Sequence, residues 1–177
     1  TRRSSDLEES EQYAIHAFNG GKVEIRNGSI GSEVVILQQS KMTMSGGQIL
    51  KIRVSRGSNL TVSGGKISEG ISLGSEDSDY WGWGTIMLSE APEISGITLM
   101  NPQNVITVTG QLTYLSPIPV TKSGGVLTSG WSAYMDGAAA ENYFNCGEYE
   151  LQQINNEIHL VEAGAHEHGG ILFDKDM

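Results

Sequence analysis

Two segments of the chain follow the same pattern, MTMSGGQI at residues 42–49 and LTVSGGKI at residues 60–67. In each segment apolar and polar residues alternate, two glycines follow, and an apolar residue closes the unit. Alternation with a period of two is typical of a β-strand that buries one face. Glycine after the strand permits a corner with positive φ. The pattern therefore predicts a strand that turns a corner and re-enters the same core.

The pattern recurs along the chain. Further copies read VEIRNGSI at residues 23–30 and ITVTGQL at residues 106–112, and IMLSEAPEI at residues 86–94 is a degenerate copy. The first apolar residues of the five copies are 23, 42, 60, 86 and 106, so the steps between them are 19, 18, 26 and 20 residues. A second short apolar pair follows each copy, at Val34/Ile36, Ile52/Val54, Ile71/Leu73, Ile97/Leu99 and Ile118/Val120.

A unit of this length is too small to bury its apolar face alone, but stacked units cover one another's open ends. The sequence therefore predicts an all-β fold, a parallel, right-handed β-helix of about five coils of 18–20 residues with a C-terminal capping region. The alternative is a β-sandwich of hairpins, which does not produce a fixed period with equivalent glycines. In the β-helix, aligned inward rows are expected to contain Val23, Ile25, Ile30, Met44, Ile49, Val62, Ile67, Ile106 and Val108.

Composition and pattern divide the chain into four expected parts: an N-terminal tether (1–14), the β-helix coils (15–120), a C-terminal cap (121–164) and a linker to a following module (165–177). The cap is expected because the last coil otherwise exposes an unpaired edge. Within it the sequence predicts a helical turn near Ala138–Tyr143 and a hairpin across Asn155 and Asn156.

The composition argues against several classes of partner. The formal net charge is 11 − 21 = −10, so the chain repels phosphate backbones and a nucleic-acid partner is not expected. No apolar run approaches 18 residues, so no membrane insertion is expected. A single cysteine excludes an internal disulfide and a cysteine-rich metal cluster.

The repeats resemble the Gly-rich β-helix repeats of large, adhesin-like cell-surface proteins from gut Firmicutes, over about residues 20–120. That resemblance implies an extracellular protein at the bacterial cell surface, with a structural or adhesive role and further modules in the same parent chain. The implied partners are a host or bacterial glycan or a surface protein. YFNCGEYEL at residues 143–151 resembles the terminal unit of such β-helices, and HEHGGILF at residues 166–173 resembles the start of a following module.

The 26-residue step contains an insertion, GSEDSDYWGWG, that runs from Gly74 to Gly84. Aromatic faces bind sugar rings or apolar groups of a protein, and carboxylates bind sugar hydroxyls. The insertion is therefore the predicted ligand-binding loop, with contacts from Tyr80, Trp81, Trp83, Glu76, Asp77 and Asp79. Two alternatives stay open: the indoles pack back onto the coils, or the acids bind Ca²⁺ together with backbone carbonyls.

The sequence contains no Gly-x-Ser-x-Gly, Walker or zinc-helix motif, so the chain is not expected to be an enzyme or to need a cofactor. His166 and His168 could face one side of a strand, but no third metal ligand lies near them, and no metal site is predicted. Cys146 has no reactive signature and is expected to be a small buried hydrophobe. The alternative function is a carbohydrate-active module that binds or cleaves polysaccharide, because other parallel β-helices are lyases and hydrolases.

Overall fold

The structure is a computed structural model that describes residues 15–74, 84–113 and 116–164. Its strands are β1 (Ile15–Ala17), β2 (Lys22–Ile25), β3 (Ser29–Ile36), β4 (Lys41–Val54), β5 (Asn59–Ile67), β6 (Ile71–Leu73), β7 (Thr85–Glu90), β8 (Glu93–Ile94), β9 (Ile97–Leu99), β10 (Ile106–Leu112), β11 (Ile118–Thr121), β12 (Gly125–Val126), β13 (Thr128–Ser129), β14 (Phe144–Asn145), β15 (Tyr149–Ile154) and β16 (Glu157–Glu162). A short helix, α1 (Trp131–Met135), and a 3₁₀ turn at Ala140–Asn142 lie between β13 and β14.

Parallel pairing stacks the coils on one another. On the first face of the molecule β2 pairs with β4, β4 with β5, β5 with β7, and β7 with β10. The second face stacks residues 29–30 of β3, 48–49 of β4, 66–67 of β5 and strand β8 in the same way. The third face stacks β1, residues 34–36 of β3, residues 52–54 of β4, and strands β6, β9 and β11. Consecutive coils are about 19 residues apart. The predicted parallel β-solenoid of about five coils is confirmed.

Equivalent apolar positions form continuous rows inside the solenoid. The three rows are Val23–Met42–Leu60–Ile86–Ile106, Ile30–Ile49–Ile67–Ile94 and Val34–Ile52–Ile71–Ile97–Val120. From the second coil onward no member of these rows is more than 7% exposed. Each buried methylene contributes about 0.8 kcal/mol, so the rows are a main source of stability.

The first coil departs from this burial. Val23, Ile25 and Ile30 pack against the core, as predicted, but they stay half-buried. Their counterparts in the second coil, such as Met42 and Ile49, are 1% exposed. The reason is positional, because among the described residues no strand pairs with β2 on the side away from β4.

Glycine is needed, for two reasons, at the corner between the first face and the second face. Gly47 and Gly65 occupy equivalent positions with φ of 78° and 86°, in the left-handed region that glycine adopts at no steric cost. A Cβ on Gly47 would also lie 2.9 Å from the carbonyl oxygen of Gly28, and one on Gly65 would lie 2.7 Å from that of Gly47. Successive corners therefore stack backbone on backbone. In the degenerate copy Glu90 takes the positive φ instead, at 59°.

The C-terminal segment contains the expected hairpin and turn. Strands β15 and β16 pair antiparallel across Asn155 and Asn156, whose φ values are 50° and 71°, as a type I′ turn requires. Helix α1 packs on β10 of the last coil. The indole of Trp131 is fully buried there and meets the rings of Tyr143 and Phe144 at centroid distances of 5.8 and 6.1 Å.

One carboxylate joins this hairpin to the last coil. Glu157, the first residue of β16, accepts hydrogen bonds from the backbone N–H groups of Gly130 (2.8 Å) and Trp131 (3.2 Å). It also accepts one from the hydroxyl of Thr128 (3.1 Å), and that hydroxyl accepts the N–H of Ile158 at 2.9 Å. Thr128 belongs to β13, which pairs with β10, so the hydrogen bonds tie the hairpin directly to the coil stack.

Replacing a row residue tests the predicted register. Ile67→Asp places an unpaired carboxylate at a position that is 0% exposed, and we expect it to lower the free energy of unfolding by about 3–5 kcal/mol or to prevent folding. Ser68→Asp, at the exposed neighbouring position, is the control and should change stability by less than about 0.5 kcal/mol. Chemical denaturation followed by circular dichroism measures both. Equal stability of the two variants would contradict the register.

Removing the charge of Glu157 tests the attachment of the hairpin. In Glu157→Gln an amide nitrogen replaces one acceptor oxygen and faces N–H donors, so we expect a loss of about 2 kcal/mol. Glu162→Gln, at the exposed far end of β16, removes the same charge without these bonds. Thermal unfolding of the two variants should separate them by several degrees, and matched melting curves would show that the carboxylate contributes nothing.

Candidate functional site

The six side chains predicted to bind a ligand lie outside the described residues, which omit 75–83. Their assignment as contacts therefore stays a prediction for Glu76, Asp77, Asp79, Tyr80, Trp81 and Trp83. The two ends of the insertion, Gly74 and Gly84, are described and are both buried.

Both ends of the insertion are packed tightly into the core. Gly74 follows β6 with φ 108°, a conformation in which a side chain would be strained, and donates its N–H to the carbonyl of Val54 at 2.9 Å. A Cβ there would lie in close contact, 3.2 Å from that of Met100. Gly84 precedes β7, and a Cβ there would lie 2.7 Å from Leu73 Cδ1 and 2.9 Å from Val54 Cγ1. The insertion therefore leaves and re-enters the solenoid at fixed points.

The corner that carries the insertion also carries short polar turns from the adjacent coils. Residues 37–40, 55–58 and 100–105 connect the third face to the first face in the other coils. Their exposed or half-exposed polar side chains are Gln38, Gln39, Arg56, Asn101 and Gln103, and they lie beside the exposed apolar side chain of Met100. Amides and guanidinium groups donate hydrogen bonds to sugar hydroxyls and to backbone carbonyls. This corner, defined by residues 37–40, 55–58, 74, 84 and 100–105, is the described part of the candidate site.

The turn at residues 100–105 is ordered by its own side chains. Asn101 accepts the N–H of Asn104 on its carbonyl (3.0 Å) and the N–H of Gln103 on its side-chain oxygen (2.9 Å). The side-chain oxygen of Asn104 accepts the N–H of Asn101 at 3.2 Å, and Asn104 is only 3% exposed. This turn lies beside Gly74, the first end of the insertion.

A buried lysine supports the same turn from inside the solenoid. Lys122 directly follows β11, in the inward row that continues from Leu99, and it is 6% exposed. Its ammonium donates to the carbonyl of Asn104 at 2.7 Å and to that of Pro102. Burial lowers the pKa of Lys122. Sequence analysis did not predict this role, although the alternation Ile118, Val120, Lys122 places the lysine on the inward side.

A groove formed by described residues lies between β8 and β11 and has a volume of about 640 Å³. Three prolines line it, and its described ionisable side chains are Lys66 and Glu93, which form an ion pair at 3.3 Å. Glycoside hydrolysis commonly uses a pair of carboxylic acids, and the described lining of this groove supplies one.

Cys146 is buried at the C-terminal segment, as expected, and lies 7% exposed beside the 3₁₀ turn. Burial raises the pKa of its thiol from an ordinary 9.0 to about 11. The group is therefore protonated at neutral pH and a poor nucleophile.

Within residues 15–74, 84–113 and 116–164, no three His, Cys, Asp or Glu side chains come together in a way that could hold a metal ion. His166 and His168 lie outside these ranges. The described helices are too short or too polar to cross a membrane. Comparison with known protein families, with curated proteins and with solved structures gives no match.

The state of Cys146 gives a direct test of the packing around it. Because its pKa is about 11 in the folded protein, its reaction with iodoacetamide at neutral pH should be about 100-fold slower than in denaturant, where the pKa is ordinary. Between pH 9 and pH 11 the unfolded thiol loses its proton while the folded one keeps it. The contribution of Cys146 to stability should therefore fall with rising pH in this window, whereas the lowered pKa of Lys122 acts in the opposite direction.

Cys146→Ala is the control for the pH effect, since it removes the thiol. The free energy of unfolding of the natural protein, relative to that of this variant, should fall between pH 9 and pH 11. Mass spectrometry of alkylated protein gives the rate. Equal rates in buffer and in denaturant would mean that the thiol is accessible in the folded state.

Proposed function

We propose that this chain is a non-catalytic β-helix module of a bacterial cell-surface protein, with a structural and adhesive role. It acts as a rigid spacer and presents the Gly74–Gly84 insertion to a partner. The observation that carries the proposal is the position of the insertion, whose two ends are fixed in the core of a continuous parallel stack.

The spacer role follows from the continuity of the stack. Hydrogen-bonded ladders run along the solenoid axis on all three faces, and the inward rows fill its interior. About five coils at about 4.8 Å each give a length of roughly 24 Å. A short rod of this kind holds a loop at one of its corners at a fixed position along the solenoid axis and in a fixed orientation.

The adhesive role rests on the content of the insertion and on its neighbours. The corners at residues 37–40 and 55–58 need four residues each, so the extra residues between Gly74 and Gly84 are not required to close a coil. They contain two of the three tryptophans of the chain. Exposed indoles call for a partner or for packing, and fixed loop ends lower the entropy cost of binding.

A glycan is the partner class that this corner suits best. Flat aromatic faces stack on sugar rings, and the neighbouring amides of Gln38, Gln39 and Gln103 can hydrogen-bond to sugar hydroxyls. The acids of the insertion add acceptors for the same hydroxyls. A surface protein is the other partner that the proposal admits.

The double variant Trp81→Ala/Trp83→Ala tests the adhesive role. We expect binding to a glycan array, or to bacterial and host surface extracts, to fall at least about tenfold, since stacking residues carry much of such affinity. We expect the melting temperature to stay within a few degrees. Trp131→Ala is the contrasting control, because that buried indole should cost about 3–5 kcal/mol of stability.

Two outcomes would overturn the proposal. A large loss of stability in the double variant, with binding unchanged, would mean that the two indoles pack against the coils. Polysaccharide cleavage that disappears in Asp77→Asn or Asp79→Asn would mean that the module is an enzyme. Release of reducing ends and formation of unsaturated products measure the second outcome.

A further inference from the structure

The N-terminal end of the solenoid presents a strand edge. Strand β2 pairs with β4 on one side, and no described strand pairs with its other side. Strand β1 covers only the third face, through its pairing with residues 34–36 of β3. The first two faces of the first coil therefore end in an edge among the described residues.

The direction of the backbone groups on this edge follows from the register. Lys22 lies beside Lys41, and the N–H of Lys41 donates to the carbonyl of Gly21 at 2.9 Å. In a parallel ladder alternate residues direct their polar groups to the same side. The carbonyl of Gly21 and the backbone of Val23 therefore face β4, while the N–H of Gly21 donates to the carbonyl of Phe18. The N–H and C=O groups of Lys22 and Glu24 face away from β4. These groups require partners other than β4.

The side chains at this end are also incompletely covered. Val23, Ile25 and Ile30 are half-buried, whereas their counterparts one coil further along are at most 1% exposed. Phe18, in the turn between β1 and β2, is 56% exposed. An apolar end beside an unpaired edge favours addition of another strand.

We propose that β2 pairs antiparallel with β2 of a second copy of this chain, in a register centred on Val23. In this register Lys22 lies opposite Glu24 of the second copy, and Glu24 lies opposite Lys22 of the second copy. Both pairs are made of residues whose backbone groups face the edge, so each can exchange two hydrogen bonds. Opposite charges directly across a strand pair stabilise it, and the two-fold symmetry produces the pair twice.

Charge complementarity selects this register over its neighbours. Centring the pair on Glu24 would place Glu24 opposite itself and Lys22 opposite Arg26, which brings like charges together. Centring it on Ile25 would pair Glu24 with Arg26, but it would extend the ladder beyond the end of β2 at Ile25. In the register centred on Val23 both charged pairs join a lysine to a glutamate, and the ladder stays within the bounds of β2.

The contact closes at two copies. The other end of the solenoid is occupied by α1 and the β15–β16 hairpin, so the pairing of two N-terminal ends does not propagate into a filament. Residues 1–14 are the other possible cover of the edge, but their apolar side chains are Leu7, Tyr13 and Ala14, without the alternation that a pairing strand needs.

Sedimentation equilibrium of the full chain, from micromolar to millimolar concentration, tests the proposal. We expect a monomer–dimer equilibrium. Lys22→Glu and Glu24→Lys alone each place like charges opposite one another, and each should raise the dissociation constant by about tenfold or more. The double variant Lys22→Glu/Glu24→Lys restores opposite charges and should restore dimerisation. Glu69→Lys, an exposed acid of a distant corner, is the matched charge control and should have no effect.

Several results would overturn the proposal. One is a monomer at every concentration, and another is a dimer that none of the charge variants affects. A third is a full chain that stays monomeric while a variant lacking residues 1–14 dimerises, because the chain then covers its own edge. Failure of the double variant to recover, with its circular dichroism spectrum unchanged, would reject the register.

Discussion

Every feature of this molecule depends on the hydrogen bonds between one coil and the next. Their spacing of about 4.8 Å fixes the distance between coils, so side chains at equivalent positions must lie directly above one another. The rows of Ile, Val, Leu and Met inside the solenoid are the result. A substitution in one row therefore affects the coils on both sides of it, and the corners must stack as closely as the strands do.

The corners show how strictly that spacing limits composition. At Gly47 and Gly65 the carbonyl oxygen of the preceding coil occupies the space that a Cβ would need. The insertion between Gly74 and Gly84 likewise begins and ends at glycines that lie against the core. Insertions are therefore confined to positions where the chain can leave the stack and return to it without separating two coils.

The repeat predicted the solenoid because one repeat of about 19 residues corresponds to one coil. The hairpin at Asn155 and Asn156 was predictable from its turn residues. Lys122 was not, since apolar character was the only criterion used for inward positions. The hydrogen bonds of Glu157 to Gly130 and Trp131 join residues that are 26 or 27 positions apart, and no local sequence pattern predicts such contacts.

At the candidate site, the 26-residue step between two copies of the repeat located the insertion. The polar turns beside it could be identified only after the coils were stacked in register, because they are far apart in the sequence.

The two ends of the solenoid differ in how firmly they are bonded, so they should differ in their resistance to unfolding by a pulling force. At the C-terminal end a buried tryptophan and the carboxylate of Glu157 fasten the hairpin to the last coil. At the N-terminal end the first coil is bonded on one side and its apolar residues are half covered. A pulling force applied along the axis will peel coils from the N-terminal end first, one hydrogen-bonded layer at a time. The solenoid would thus lengthen under load in small increments, while the end that carries the hairpin is the last to open.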